Sequence, residues 1–313
     1  MQGWYYNYSG FGLFALSLAL ERYFFNTKSY QKRKHSRICV LLTDNGKTWE
    51  PPATNFSEMF QNTLCMNESW DVWDVCKLAH GENLPNITSY DAYIITGSRF
   101  NTTTDSLKLS WFQPLCNFVQ EIALLDNYSH IRLYGGCFGH HLITHALGGI
   151  IGNNPGDKFI LKAEVIKFNK VAMKEIIELD CCCNELFCHN NNNDNDNDNV
   201  IKVIESHGLC VKKLPTKCKV TLLANSESCA CEMYLTGNNN NILSFQGHPE
   251  FDFEYCVRDR ILPSVLNWSK RLNEEEGKES LKSFVGFTRE KSGPNALCCF
   301  ISTFLQKGTN LSK

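Results

Sequence analysis

At 313 residues, with 43% hydrophobic and 20% charged residues, the chain can bury a large core, in one big domain or two small ones. A net charge of −2 gives no electrostatic draw toward nucleic acid or an acidic membrane, and no apolar run reaches the length of a membrane span. Neither is therefore expected as a partner.

Residues 11–20 are a short apolar run with no basic segment before it. They read as part of an N-terminal extension, residues 1–36, with a signal-peptide core as the alternative. The patch Lys32-Arg33-Lys34 follows. Residues 37–43 carry Ile-Cys-Val-Leu-Leu, a buried strand, and residues 56–64 suit a short amphipathic helix. Residues 70–75 alternate Trp and Val with Asp and Cys, which predicts a strand. A further apolar strand, 90–96, runs into Gly97-Ser98. Apolar positions at Trp111, Leu115, Phe118, Val119, Ile122 and Leu125 predict a helix over 109–125. Ile131 to Tyr134 then feeds Gly135-Gly136-Cys137, and a helix over 140–147 ends at Gly148-Gly149.

Strands alternating with helices predict an α/β fold with a doubly wound, mainly parallel sheet and flanking helices. Chemistry in such sheets gathers at the carboxyl ends of strands, where Gly97 and Cys137 both fall. The second half adds a β-rich edge, with short apolar or alternating runs at 160–168, 200–205, 220–223, 230–234 and 242–245. The Asn/Asp tract 190–199 cannot pack a core, so a disordered surface insertion is expected near 184–199. A last helix is predicted over 253–271. The tail, 272–313, turns mildly apolar at 296–305 and suggests no role.

The chemistry concentrates in two stretches. Tyr134-Gly135-Gly136-Cys137-Phe138-Gly139-His140-His141 puts a thiol at a strand-to-helix corner, where small neighbours permit a strained backbone and the helix start favours thiolate. An inert thiol packed in a tight turn is the alternative. Gln246-Gly247-His248-Pro249-Glu250 offers a base in His248 and, across a stiffening proline, a carboxylate in Glu250 to fix its tautomer. A structural histidine and a carboxylate at a helix start are the corresponding alternatives. The backbone N–H of Phe138, next after the nucleophile, is one candidate oxyanion donor, and Gly97 is the second.

No metal site is predicted. His141 and His145 would share a helix face without a third ligand, and Cys181-Cys182-Cys183 with Cys188-His189 lacks paired two-residue spacings. Sixteen cysteines invite a disulfide reading, but Cys39 lies in an apolar strand and three others are contiguous. A reducing, cytoplasmic setting is therefore expected over a secreted or lysosomal one, against the sequons at Asn86, Asn101 and Asn127.

With these residues in hand, the chain from 37 to 271 resembles the class I glutamine amidotransferase-like family, and within it the stand-alone branch of γ-glutamyl peptidases. The strand 90–98, the elbow around Cys137, Glu205-Ser206-His207-Gly208 and the run from Leu243 to Glu250 carry the likeness. It implies a flavodoxin-like α/β sandwich, and Cys137, His248 and Glu250 as nucleophile, base and orienting acid. Gly97 and Phe138 become oxyanion donors, while Ser98, His141, Ser206 and His207 fall on the substrate side. It implies no cofactor, and a small γ-glutamyl substrate whose amide is attacked to give a γ-glutamyl thioester. A partner synthase fed with ammonia, a second copy of the chain, or a binding protein without turnover are the rivals. Two positions depart from the family. His141 stands where a substrate-holding glutamine is usual, and Leu209 where the branch has aspartate.

Overall fold

The structure is a computed structural model that describes residues 37–44, 70–80, 83–169, 171–173, 200–289 and 293–307. The expected helix over 56–64, the Asn/Asp tract, the Cys181 to His189 cluster and the extension 1–36 lie outside the described residues.

Residues of β1 (Ile38–Leu42) alternate between two cores, as a strand covered on both faces must. Ile38 and Val40 face one core; Cys39 and Leu41 face the other. The same division holds for β3 (Ala92–Ile95), which sends Ala92 and Ile94 one way and Tyr93 and Ile95 the other. With β2 (Trp70–Asp74), β4 (Arg132–Gly136) and β11 (Ile242–Phe245), these strands pair in parallel in the order β2-β1-β3-β4-β11. The sheet continues antiparallel through β10 (Met233–Thr236), β9 (Thr221–Asn225), β6 (Ile160–Phe168) and β7 (Val200–His207). The α/β class, the parallel centre and the β-rich edge all match expectation.

Helix α1 (Phe112–Leu124) and helix α2 (Phe138–Ala146) cover one face. Leu115, Phe118, Val119 and Ile122 of α1 and Leu142 and Ile143 of α2 supply that core. The opposite face is covered by a helix in the segment that suggested no role. After α3 (Glu274–Ser283), α4 (Pro294–Lys307) packs Leu297, Phe300, Ile301, Phe304 and Leu305 against Ile38, Tyr134 and Leu243. The spacing of those five residues is that of one helical stripe. A third core joins Leu42, Leu161 and Ile204 to Phe251 and the segment after it.

Two elements differ from expectation. The helix after His248 is wound in π turns, Phe253–Ile261 and Ser264–Trp268, with Pro263 between them. Proline lacks the N–H that a continuous α-helix would use there. A separate two-stranded ribbon, β5 (Ile150–Asn153) with β8 (Leu209–Lys213), lies in two segments for which no strand was expected. Ten described cysteines carry free thiols, while Cys299 is disulfide-bonded, which the reducing-compartment expectation did not anticipate. Among the described residues no helix is long and apolar enough to cross a membrane.

Candidate active site

Strand β4 ends at Gly136, and the chain turns into α2 through Cys137, whose φ of 50° and ψ of −104° are unusual for a residue with a side chain. The turn is held from both sides. Cys137 N–H donates to the Phe245 carbonyl at 2.9 Å, and His141 N–H donates to the Cys137 carbonyl at 3.1 Å. Glycine is required on either side because α2 sits directly on the sheet. A Cβ on Gly139 would lie 2.4 Å from the Ile95 carbonyl oxygen, and one on Gly135 would lie 2.8 Å from the Gly139 backbone. The Cys137 sulfur thus stands at the open end of the parallel strands, above the first turn of α2. The N–H groups of that turn have no partners within the helix.

His248 follows β11 and is fixed on three sides. Its backbone N–H donates to the Ile204 carbonyl at 2.9 Å, in an isolated bridge to β7. Its ring lies flat on Phe251, with centroids 4.0 Å apart and planes 5° from parallel. Its Nδ1 donates to Glu250 Oε1 at 2.7 Å. The other side of the imidazole forms a side-chain hydrogen bond with Cys137. The Cys137 sulfur and the Glu250 carboxylate thus both act on the His248 ring. Burial alone would lower the imidazole's pKa. The Cys137 sulfur and then the Glu250 carboxylate outweigh that burial and raise it from 6.5 to about 10.

Two lobes of a cleft meet over Cys137. One, about 290 Å³, is walled by Phe138, Asn101, Asn153, Asp157 and Leu209. The other, about 360 Å³, is walled by Gly97, His248, Phe251, Val265 and Trp268. Ser98, Arg99, Phe159, Ser206 and Arg271 border both. Ser98 Oγ donates to the Thr43 carbonyl at 2.9 Å, while the Ser206 carbonyl faces the Cys137 sulfur at 3.9 Å. The Gly97 carbonyl accepts from Thr43 Oγ1 and Thr96 Oγ1, which ties this loop to the interior.

The two candidate substrate histidines are set deeper than expected. His141 is buried, its Nε2 2.7 Å from Gln246 Oε1, and burial pushes its pKa down to about 4. His207 is also buried. Its Nδ1 donates to the Leu209 carbonyl at 2.8 Å, and burial pushes its pKa down to about 3. Both rings are uncharged at neutral pH, so neither brings a cation to the cleft. Leu209 is the second departure from the family pattern. It walls the cleft with an apolar side chain and holds His207 through its carbonyl.

Sequence reasoning missed Phe251, Arg99 and Arg271. Phe251 is adjacent to Glu250, and an aromatic residue three positions after a candidate base is the signal that would have found it. The arginines come from a loop and from the end of the π-wound segment, with no local motif. Arg99 is held to the buried Asp44, and Arg271 lies over the Phe159 ring, 5.3 Å from its centroid. Among the described residues no group of His, Cys, Asp or Glu could hold a metal ion, and His145 instead lies 5.4 Å from the Phe112 ring.

Known proteins are similar to the segment that carries these residues. Residues 114–254, which contain both the elbow and His248-Pro249-Glu250, match the family described as glutamine amidotransferase class-I. A glutamine amidotransferase-like protein of Schizosaccharomyces pombe is 28% identical over 64% of this chain and 66% of its own. Gamma-glutamyl peptidase 3 of Arabidopsis thaliana is 27% identical over 74% of this chain and 80% of its own. The crystal structure of a glutamine amidotransferase from Thermotoga maritima superposes with a TM-score of 0.57 at 16% identity, covering 90% of this chain and all of that one. The matched segment and these relatives make the chain similar to class I glutamine amidotransferases, and the superposition shows that it shares their fold.

Proposed function

We propose that the protein is a cysteine hydrolase of γ-glutamyl peptides or amides that works through a γ-glutamyl thioester on Cys137. The observation that carries this reading is the line from the Cys137 sulfur through the His248 ring to Glu250 Oε1. An imidazole raised to about 10 is protonated at neutral pH, so it can serve as counter-ion to a thiolate formed at Cys137. The thiolate attacks the γ-carbonyl carbon. The oxyanion that forms is held by the backbone N–H groups of Phe138 and Gly97. When the intermediate collapses, the carbon–nitrogen bond breaks and His248 gives its proton to the departing amine. The neutral imidazole then takes a proton from water, whose oxygen attacks the thioester. Glutamate leaves, and thiolate and imidazolium are restored.

In this reading Glu250 and Phe251 keep the ring in one tautomer and one plane, and Ser98 and Ser206 border the bound glutamyl group. The relative named gamma-glutamyl peptidase 3 supports a peptide or amide substrate. His141 argues against free glutamine as the preferred one, because a rigid ring bound to Gln246 replaces a flexible amide. A panel of γ-glutamyl peptides, γ-glutamyl amides and glutamine, quenched in acid, tests the proposal. Glutamate release and a γ-glutamyl adduct on Cys137 are expected, and Cys137→Ala should lose both. A folded protein that releases no glutamate and forms no adduct with any member would refute it. Preference for glutamine, with activity only beside a copurified synthase, would favour the ammonia-supplying rival.

A further inference from the structure

Behind the cleft lies a line of buried polar groups that takes no part in the chemistry proposed above. Glu205 has no solvent exposure. On β7 it stands between Ile204, which bridges to His248, and Ser206, whose carbonyl faces the Cys137 sulfur. Its Oε2 is 3.4 Å from His207 Nε2, and the Glu232 carboxyl faces its own. Its Oε1 fills the space over Gly247, where any Cβ would clash with it. Glu205 thus touches the chain immediately before the catalytic imidazole as well as the strand facing the sulfur.

The hydrogen count is the informative part. Drawn as a carboxylate, Glu205 has no donor for either oxygen, and Glu232 Oε1 and His207 Nε2 are equally without a partner. His207 Nδ1 already donates to a carbonyl, so its neutral ring offers only a lone pair at Nε2. Lys162, which pairs with Glu205 across β6 and β7, directs its ammonium to Glu164 and Glu227 instead. Four acceptors with no hydrogen among them, in a fully buried space, would repel one another at high cost. Two added protons satisfy the set. Burial works in that direction, holding the Glu205 carboxyl well above the usual range and raising that of Glu232 to about 7.

We infer that Glu205 is a positioning residue kept as a neutral carboxylic acid, which donates to His207 Nε2, accepts from Glu232, and so sets the Ser206-His207 wall of the cleft and the Gly247-His248 turn against Cys137. The line runs from Ser226 Oγ, which donates to Glu232 Oε2 at 3.0 Å, through Glu232 and Glu205 to His207 and the Leu209 carbonyl. The charged or titratable groups that face it are Glu164, Cys137, His141, His248, Lys162 and Cys229. Its importance for turnover rests on the hydrolase reading; its protonation state and its hold on Cys137 do not.

The test compares wild type with Glu205→Gln and Glu205→Ala. At pH 6 the infrared difference between wild type and Glu205→Gln should contain the carbonyl band of a protonated carboxyl. Glutamine also carries one donor and one acceptor group, so Glu205→Gln should alkylate at Cys137 with iodoacetamide within about threefold of wild type. Glu205→Ala, which strands His207 and Glu232, should slow that alkylation about tenfold or more. Absence of the acid band, or a Glu205→Gln defect as deep as that of Glu205→Ala, would overturn the inference. If Glu205→Ala does not fold, the band and the Glu205→Gln rate still decide. A protein that shows the band and the rescue but hydrolyses no γ-glutamyl compound would keep this inference and lose the proposed function.

Discussion

Replacing Glu250 with glutamine isolates the part of the site that makes the imidazole a cation. Nδ1 of His248 meets Oε1 of Glu250 at 2.7 Å, and both side chains are almost wholly buried. Bringing the imidazole from about 10 back to 6.5 corresponds to about 5 kcal/mol of preference for the protonated form. The Cys137 sulfur supplies the largest share of that rise, with Glu250 second, and both work against burial. A hydrogen bond to a buried charged group contributes about 2 kcal/mol, so Glu250→Gln should lower the pH at which the imidazole loses its proton by about 1.5 units. At pH 7 the ring still holds its proton, so the effect should appear above about pH 8, as a displacement of the iodoacetamide alkylation profile of Cys137 by about 1.5 pH units. The assay is alkylation followed by mass spectrometry across pH 5 to 10, with circular dichroism as the control for folding. An unchanged alkylation profile in folded Glu250→Gln would refute the claim that the carboxylate sustains the ion pair.

Gly139→Ala pushes a methyl into the Ile95 carbonyl, where neither backbone can yield, so the unfolding midpoint in urea should fall with a loss of about 2 kcal/mol or more. Phe304→Ala empties a fully buried site under the sheet and should cost about 3–5 kcal/mol, measured the same way; a loss below about 1 kcal/mol would mean that α4 does not complete that core. His141→Gln restores an amide beside Gln246 and removes no charge at neutral pH, so glutamine hydrolysis should rise relative to γ-glutamyl peptides. Glu232 binds its proton up to about pH 7 in the folded chain and up to about 4.5 in the unfolded one, so the folded state holds the extra proton between these values. Stability from this group is therefore present below pH 4.5 and lost as pH rises through 7, and Glu232→Gln should flatten that fall in denaturant melts at pH 5 and 8.

The parallel centre of the sheet was legible because β1, β3, β4 and β11 are short apolar runs that end at glycine or at a motif, and a strand buried on both faces leaves that mark. The elbow was legible because one local demand, a helix pressed onto a strand end, requires Gly135 and Gly139 close to Cys137 in sequence. What escaped has a different physical basis. β5 and β8 form a small ribbon whose residues are partly exposed, so β5 in particular carries no clean alternation. The stripe Leu297, Phe300, Ile301, Phe304, Leu305 does have helical period, but its role depends on an open sheet face that only the assembled strands reveal. The π-wound turns reflect backbone donors around Pro263, which side-chain periodicity does not report.

Glu205 is the sharpest case of that divide, and it shows how the site is built. By sequence it is one acidic residue in a strand, as suited to solvent as to the interior. Its character comes from contacts made across the fold, with Glu232 before β10, His207 on its own strand, and Gly247 beside His248. A charged glutamate at this depth would repel Glu232 and raise the cost of a thiolate at Cys137, since both would add negative charge behind the sulfur. A neutral one removes that repulsion while still binding the wall and the turn together. His248 and Glu205 thus both hold a proton, the first against the effect of burial and the second because of it. The Cys137 sulfur and the Glu250 carboxylate raise the imidazole, while burial and then the facing Glu232 raise the Glu205 carboxyl.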